Sequence, residues 1–69
     1  MTDLDIAITI LKLASRVDAG CIACRSNTFE QARELHPDLP WKVAAEGLNQ
    51  QYEDEYGWAL EDLGITPPD

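Results

Sequence analysis

The stretch PWKVAAEGLNQQYEDEYGWALEDLG, residues 40–64, decides how this chain is read. Trp41, Ala45, Leu48, Tyr52, Tyr56, Ala59 and Leu63 recur every three or four residues, the spacing of one apolar helix face. Pro40 suits a first helical turn, and Asp38 is a good N-cap ahead of it. Gly64 stands where a helix end favours a left-handed residue, Ile65 is placed to fold back on Leu60, and TPPD at 66–69 cannot continue a helix. Gly47 and Gly57 each weaken the helix by about 1 kcal/mol relative to alanine. The segment therefore reads as one long helix, or as two in line broken at Gly47 or Gly57.

The opposite side of that helix follows from a 100° step per residue. It carries Val43, Glu46, Gln50, Glu53, Asp54, Gly57 and Glu61, and from Val43 onward there are seven acids and no base. Carboxylates one turn apart lie about 5–6 Å apart along a helix axis, the scale on which a nucleic-acid backbone presents its phosphates. Such a stripe fits a basic groove built for DNA or RNA. The plainer reading is a solvated face. Against it, unbalanced repulsion costs a small fold stability, and ordinary surfaces intersperse both signs. Trp58 belongs to either picture. In a continuous helix it lies beside the acids, as interface tryptophans with a polar rim do. If the helix breaks at Gly57, it turns into the core. Glu46, Glu53, Asp54, Glu61 and Trp58 are the expected partner contacts.

Upstream, SNTFEQARELHP offers Ser26, Asn27 and Thr28 as N-caps, with Glu30 and Gln31 placed to close a capping box. Phe29, Ala32 and Leu35 form a short apolar face, and Pro37 ends the helix at or before His36. Just before it stands CIAC. A zinc site needs four ligands, and the chain has two cysteines and one histidine. Cys21, Cys24 and His36 would need a carboxylate such as Asp38 to complete the set. A redox CxxC normally opens a helix in a βαβ context, and no strand pattern surrounds this one. The simplest expectation is two small buried hydrophobes near a helix end, with no metal and no cofactor. His36 is most simply a helix C-terminal residue favoured by the dipole.

The N-terminal stretch TDLDIAITILKLASRVDAG reads as a helix. Thr2 and Asp5 make a capping pair, and Gly20 is placed to end the segment. Asp5, Thr9, Lys12 and Arg16 fall on one narrow stripe, with Leu4, Ile6, Ile8, Ile10, Leu11, Leu13 and Val17 around it. The β-branched residues Ile6, Ile8, Thr9 and Ile10 also permit a strand, but the polar stripe keeps helical period for three turns. A helix apolar over most of its circumference needs cover on more than one side. Either the bundle supplies all of it, or a second copy of the chain supplies part, as a homodimer through this helix.

These elements amount to an all-α fold, a small bundle of three to four helices with the last one longest. Residues 1–65 form one helical domain and 66–69 a short tail. At 69 residues the core is marginal, and such chains usually add a staple, a metal or a partner. The net charge of −8, from 13 acids and 5 bases, argues against direct nucleic-acid binding and against anionic membranes. It favours a basic protein surface, such as that of a nucleic-acid-processing enzyme, with fast and salt-sensitive steering. Acids at positions 3 and 5 do not resemble a secretory leader, so the expected location is cytoplasmic. No phosphate loop, nucleophile elbow or metalloprotease helix is visible, so an enzyme is not expected.

Carrier proteins are similarly small, acidic and helical, but their Asp-Ser-Leu attachment site is absent. In size and charge alone the chain resembles the small acidic inhibitors that phages and mobile elements direct against CRISPR or restriction machinery. That likeness implies a non-catalytic inhibitor acting by nucleic-acid mimicry. The alternatives are a zinc-binding or redox-responsive regulator using the CxxC, and a structural homodimeric assembly factor.

Overall fold

The computed structural model describes residues 1–17 and 21–65. It is an all-α bundle of four helices: α1 (Asp3–Val17), α2 (Ile22–Leu35), α3 (Trp41–Gln51) and α4 (Gly57–Asp62). α1 packs against both α2 and α3, and α4 closes on α2 and α3. Gly20 and the 66–69 tail lie outside the described residues.

α1 is helical, and its start is the capping pair read from the sequence. The Asp5 backbone N–H donates to Thr2 Oγ1 at 3.2 Å, and the Thr2 N–H donates to Asp5 Oδ2 at 3.3 Å. Asp5, Thr9, Lys12 and Arg16 are all exposed, while Ala7, Leu11 and Ala14 face the core. The small alanines let α1 approach its neighbours closely. Ala7 shares one buried core cluster with Ala44 and Ala45 of α3.

α2 starts earlier than its sequence implies. The N-cap is Cys21, extended at φ −140°, so Ser26, Asn27 and Thr28 lie inside the helix rather than capping it. A cap at residue 26 loses to one that places a full extra turn in the bundle. Phe29 is wholly buried and Ala32 half-buried, but Leu35 of the expected apolar face is exposed. Pro37 does end the helix, at Leu35 with His36 as C-cap. The chain then turns, and the Trp41 indole N–H donates to the His36 carbonyl at 2.9 Å, tying the end of α2 to the start of α3. The N-cap position of α3 is Pro40, with no side-chain cap bond, so Asp38 does not take that role.

The last segment is not one long helix. α3 ends at Gln51, residues 52–56 form a turn, and α4 has six residues, so α1 is the longest helix and the last is the shortest. Gly47 sits within α3 without a break, and Gly57 is the first residue of α4. The apolar seam still works across the turn. Trp41, Ala45, Leu48, Tyr56 and Ala59 are buried and Leu63 packs against them, while Tyr52 alone is left exposed. Gly64, at φ +75°, and the Ile65 N–H to Leu60 carbonyl bond at 2.9 Å close α4 as the sequence predicts.

Phe29 is the centre of the core. Trp41 and Trp58 meet it edge to face, each with ring centroids 5.6 Å away. Such pairs contribute about 0.5–1.5 kcal/mol beyond area burial. No helix among the described residues is long and apolar enough to cross a membrane.

Candidate acidic interface

The turn between α3 and α4 is built by Asn49. Its Nδ2 donates to Asp54 Oδ1 at 3.2 Å, and its Oδ1 accepts the Tyr56 backbone N–H at 3.1 Å. The Asn49 carbonyl accepts the Asp54 N–H at 2.8 Å. Three bonds to one residue hold the chain while Glu53 and Asp54 take left-handed backbone, at φ 53° and 69°. Glu53, Asp54 and Glu55 therefore project from a tight, exposed turn.

This geometry redistributes the expected contacts. Glu53 and Asp54 are brought together on the turn. Glu46 is exposed on α3, one turn before Asn49, and Glu61 is exposed on α4. The four do not share one helix face, so the regular carboxylate ladder is replaced by a turn flanked by two short helices. Trp58 is not beside the acids as a rim-bound anchor. It is half-buried against Phe29 and Tyr56, and the Arg25 guanidinium lies 4.8 Å from its ring centroid. The helix break turned it inward. Asn49, which organises the acidic turn, was not singled out by sequence reading. A lone Asn inside a helical pattern carries no periodic signal, and only its position seven residues before the next apolar anchor, Tyr56, hints at its role.

The electrostatics are one-sided. Among the described residues the one ion pair is Lys42 Nζ to Glu46 Oε1 at 4.0 Å, between exposed side chains. Three other bases lie over aromatic rings rather than against carboxylates: Lys12 over Tyr52, Arg25 over Trp58 and Arg33 over Phe29. Arg25 and Arg33 are half-buried by this arrangement. Lys12, Ser15 and Arg16 of α1 also line an open groove of about 450 Å³ with Tyr52, Glu55 and Tyr56.

Cys21 and Cys24 are joined in a disulfide. The extended N-cap residue and a residue in the first turn of α2 have Cα atoms 5.2 Å apart, within the usual span of such a bond. They are not buried thiols, since Cys21 is half-buried and Cys24 exposed. His36 caps the opposite end of α2, about 20 Å away at 1.5 Å per residue. Cys21, Cys24 and His36 therefore do not converge, and no cluster of three or more metal-ligating side chains occurs among the described residues.

Compared with known proteins, the chain matches no family model, no curated protein and no solved structure.

Proposed function

We propose that this protein is a non-catalytic acidic interaction module that docks on a basic protein surface, with the turn Glu53–Asp54 as its centre and Glu46 and Glu61 at its flanks. The observation that carries this reading is the unspent negative charge. The bases that could neutralise it are mostly committed to aromatic rings, and the one ion pair is long and exposed. A carboxylate surface left uncompensated costs the small fold stability, and a cationic partner would relieve that cost. In its specific form the partner is a nucleic-acid-processing enzyme or complex, whose groove the module blocks, as phage-borne anti-CRISPR or anti-restriction inhibitors do. The mimicry then rests on charge density at a turn, not on a helical ladder. Trp58 supports this surface from within by packing α4 against α2.

The test replaces Glu46, Glu53 and Glu61 by Gln and Asp54 by Asn. The wild-type chain, immobilised at low salt, is expected to capture a basic protein from a bacterial lysate and release it to moderate salt or to added duplex DNA. The fourfold variant, equally helical by circular dichroism, should retain none of it. Equal capture by the variant, or capture indifferent to both salt and DNA, refutes the proposal.

A second reading draws on the Cys21–Cys24 disulfide. A crosslink opening α2, with Cys24 exposed and Cys21 half-buried, suits a redox-responsive regulator whose α2 start loosens on reduction. Faster amide exchange in residues 23–26 after dithiothreitol supports it, and unchanged exchange removes it.

A further inference from the structure

α1 carries a second surface, apolar where the turn between α3 and α4 is acidic. Ile6, Ile10, Leu13 and Val17 are spaced by four, three and four residues, the heptad spacing of a helix–helix seam. At 100° per residue they fall within an arc of about 60°. The core takes the adjacent side of the helix, through Ala7, Leu11 and Ala14, and Ile10 at the seam's edge also packs against it. Leu13 is 54% exposed and Val17 is 76% exposed. With Ile10, Ala14 and Thr28 of α2 they line an open groove of about 350 Å³. Leu35, 76% exposed, lies seven residues beyond Thr28 and so on the same flank of α2. The apolar surface thus runs from α1 across to α2.

Charge identifies what covers it. α1 contains two acids, Asp3 and Asp5, and two bases, Lys12 and Arg16. Its formal charge is zero, so the whole −8 of the chain resides elsewhere. The acids occupy its first turn and the bases its second half. Asp5, Thr9 and Arg16 line the flank beside the seam. In an antiparallel pair of identical helices, like flanks face each other. Setting Ile6 against the partner's Val17 and Ile10 against the partner's Leu13 puts Asp5 two residues from the level of the partner's Arg16. That is about 3 Å along the axis, within an arginine's reach. Two-fold symmetry repeats the pair at the other end. A parallel arrangement gives Arg16 no such acid. Arg16 has no ion pair within the described residues of its own chain.

We infer that the occupant of this face is a second copy of the chain, bound through an antiparallel α1–α1 seam with reciprocal Asp5–Arg16 pairs. This two-fold contact is self-complementary and leaves the acidic turn of each copy to other partners. It covers Leu13 and Val17, which the bundle leaves exposed, and completes the cover of the half-buried Ile6 and Ile10. A 15-residue helix offers a seam about 22 Å long, an area at the small end of specific interfaces, so dissociation falls in the micromolar range or weaker.

Sedimentation equilibrium from about 10 µM to 1 mM should show the mass rising toward twice that of the monomer. A monomer mass throughout overturns the inference. Leu13→Gln with Val17→Gln removes exposed side chains only, so the fold stands and association should fall at least tenfold. Arg16→Asp sets like charges against each other at both ends and should weaken association similarly. Asp5→Arg does the same, and also removes the Thr2 capping partner, so its helicity is checked by circular dichroism. Mixing those two charge variants restores opposite charges at both ends and should bring association back. If the mixture associates no better than its components while both are helical, the antiparallel geometry is wrong. If the glutamine variant dimerises undiminished, the seam is wrong.

Discussion

Asn49 is the residue on which the acidic turn depends. Its side chain spends both functional groups locally, one on the Asp54 carboxylate and one on the partly buried Tyr56 N–H. Left-handed backbone at Glu53 and Asp54 costs each residue roughly 1–2 kcal/mol, with Asp better suited to it than Glu. Without Asn49 the Tyr56 N–H loses its acceptor, a loss of about 1–3 kcal/mol where the donor stays dry. Asn49→Ala is therefore expected to lower unfolding stability by about 2 kcal/mol, measured by urea titration. It should also speed amide exchange at Asp54 and Tyr56 while leaving α1 as protected as before. A variant as stable as the parent would mean that the turn is held by the packing of Tyr56 alone. The residue scale also shows what sequence reading missed. Period and propensity found Tyr56 and Ala59 as core residues, because burial imprints a repeat. They did not find the turn before them, because a side-chain staple between Asn49 and Tyr56 leaves no repeat.

At the scale of the element, legibility varied with the kind of signal. α1 was readable in its start and its exposed stripe, since the Thr2–Asp5 cap and the polar residues 5, 9, 12 and 16 are both local signals. The close of α4 at Gly64 and the stop at Pro37 were readable because both are backbone effects carried by one residue. The start of α2 was not. Ser26, Asn27 and Thr28 are better caps by type than Cys21, but packing of the helix against α1 and α4 outweighs a cap worth about 1 kcal/mol. The Cys21 Sγ itself accepts the Cys24 N–H at 3.2 Å, so this residue is both cap and half of a crosslink. Substitution separates the two contributions. Cys21→Ser with Cys24→Ser keeps a capping oxygen and loses only the crosslink, whose very short loop predicts a loss of about 2 kcal/mol or less. Cys21→Ala with Cys24→Ala loses the cap as well, a further 1 kcal/mol or so. The alanine pair should therefore melt below the serine pair. Identical melting of the two variants would show that the sulfur contributes nothing as a cap.

At the scale of the whole molecule, the question is whether the excess of acids weighs on the fold. The sequence makes the count plain, but not where the bases go. Lys12 and Arg25 lie over Tyr52 and Trp58 of other elements, and Arg33 over Phe29 of its own helix, which leaves the carboxylates unneutralised. Each ring contact contributes about 0.5–2 kcal/mol according to its burial. The exposed Lys42–Glu46 pair contributes only about 0.3–0.5 kcal/mol. Salt acts on these terms in opposite directions. It screens the repulsion among Glu46, Glu53, Asp54, Glu55 and Glu61, and it weakens the single ion pair far less in absolute terms because there is so little to lose. The half-buried ring contacts of Arg25 and Arg33 are screened least. Raising sodium chloride from about 10 mM to about 0.5 M should therefore stabilise the chain. A gain of 1 kcal/mol corresponds to a melting midpoint about 4–8 °C higher for a domain of this size. Chloride is the right anion, because sulfate strengthens apolar burial on its own account. The melt belongs at a few micromolar protein, where association through α1 does not contribute to the midpoint. A midpoint that falls with chloride would show the carboxylates to be held by attractive pairs within the chain. The acidic turn would then have no unspent charge to offer a basic surface.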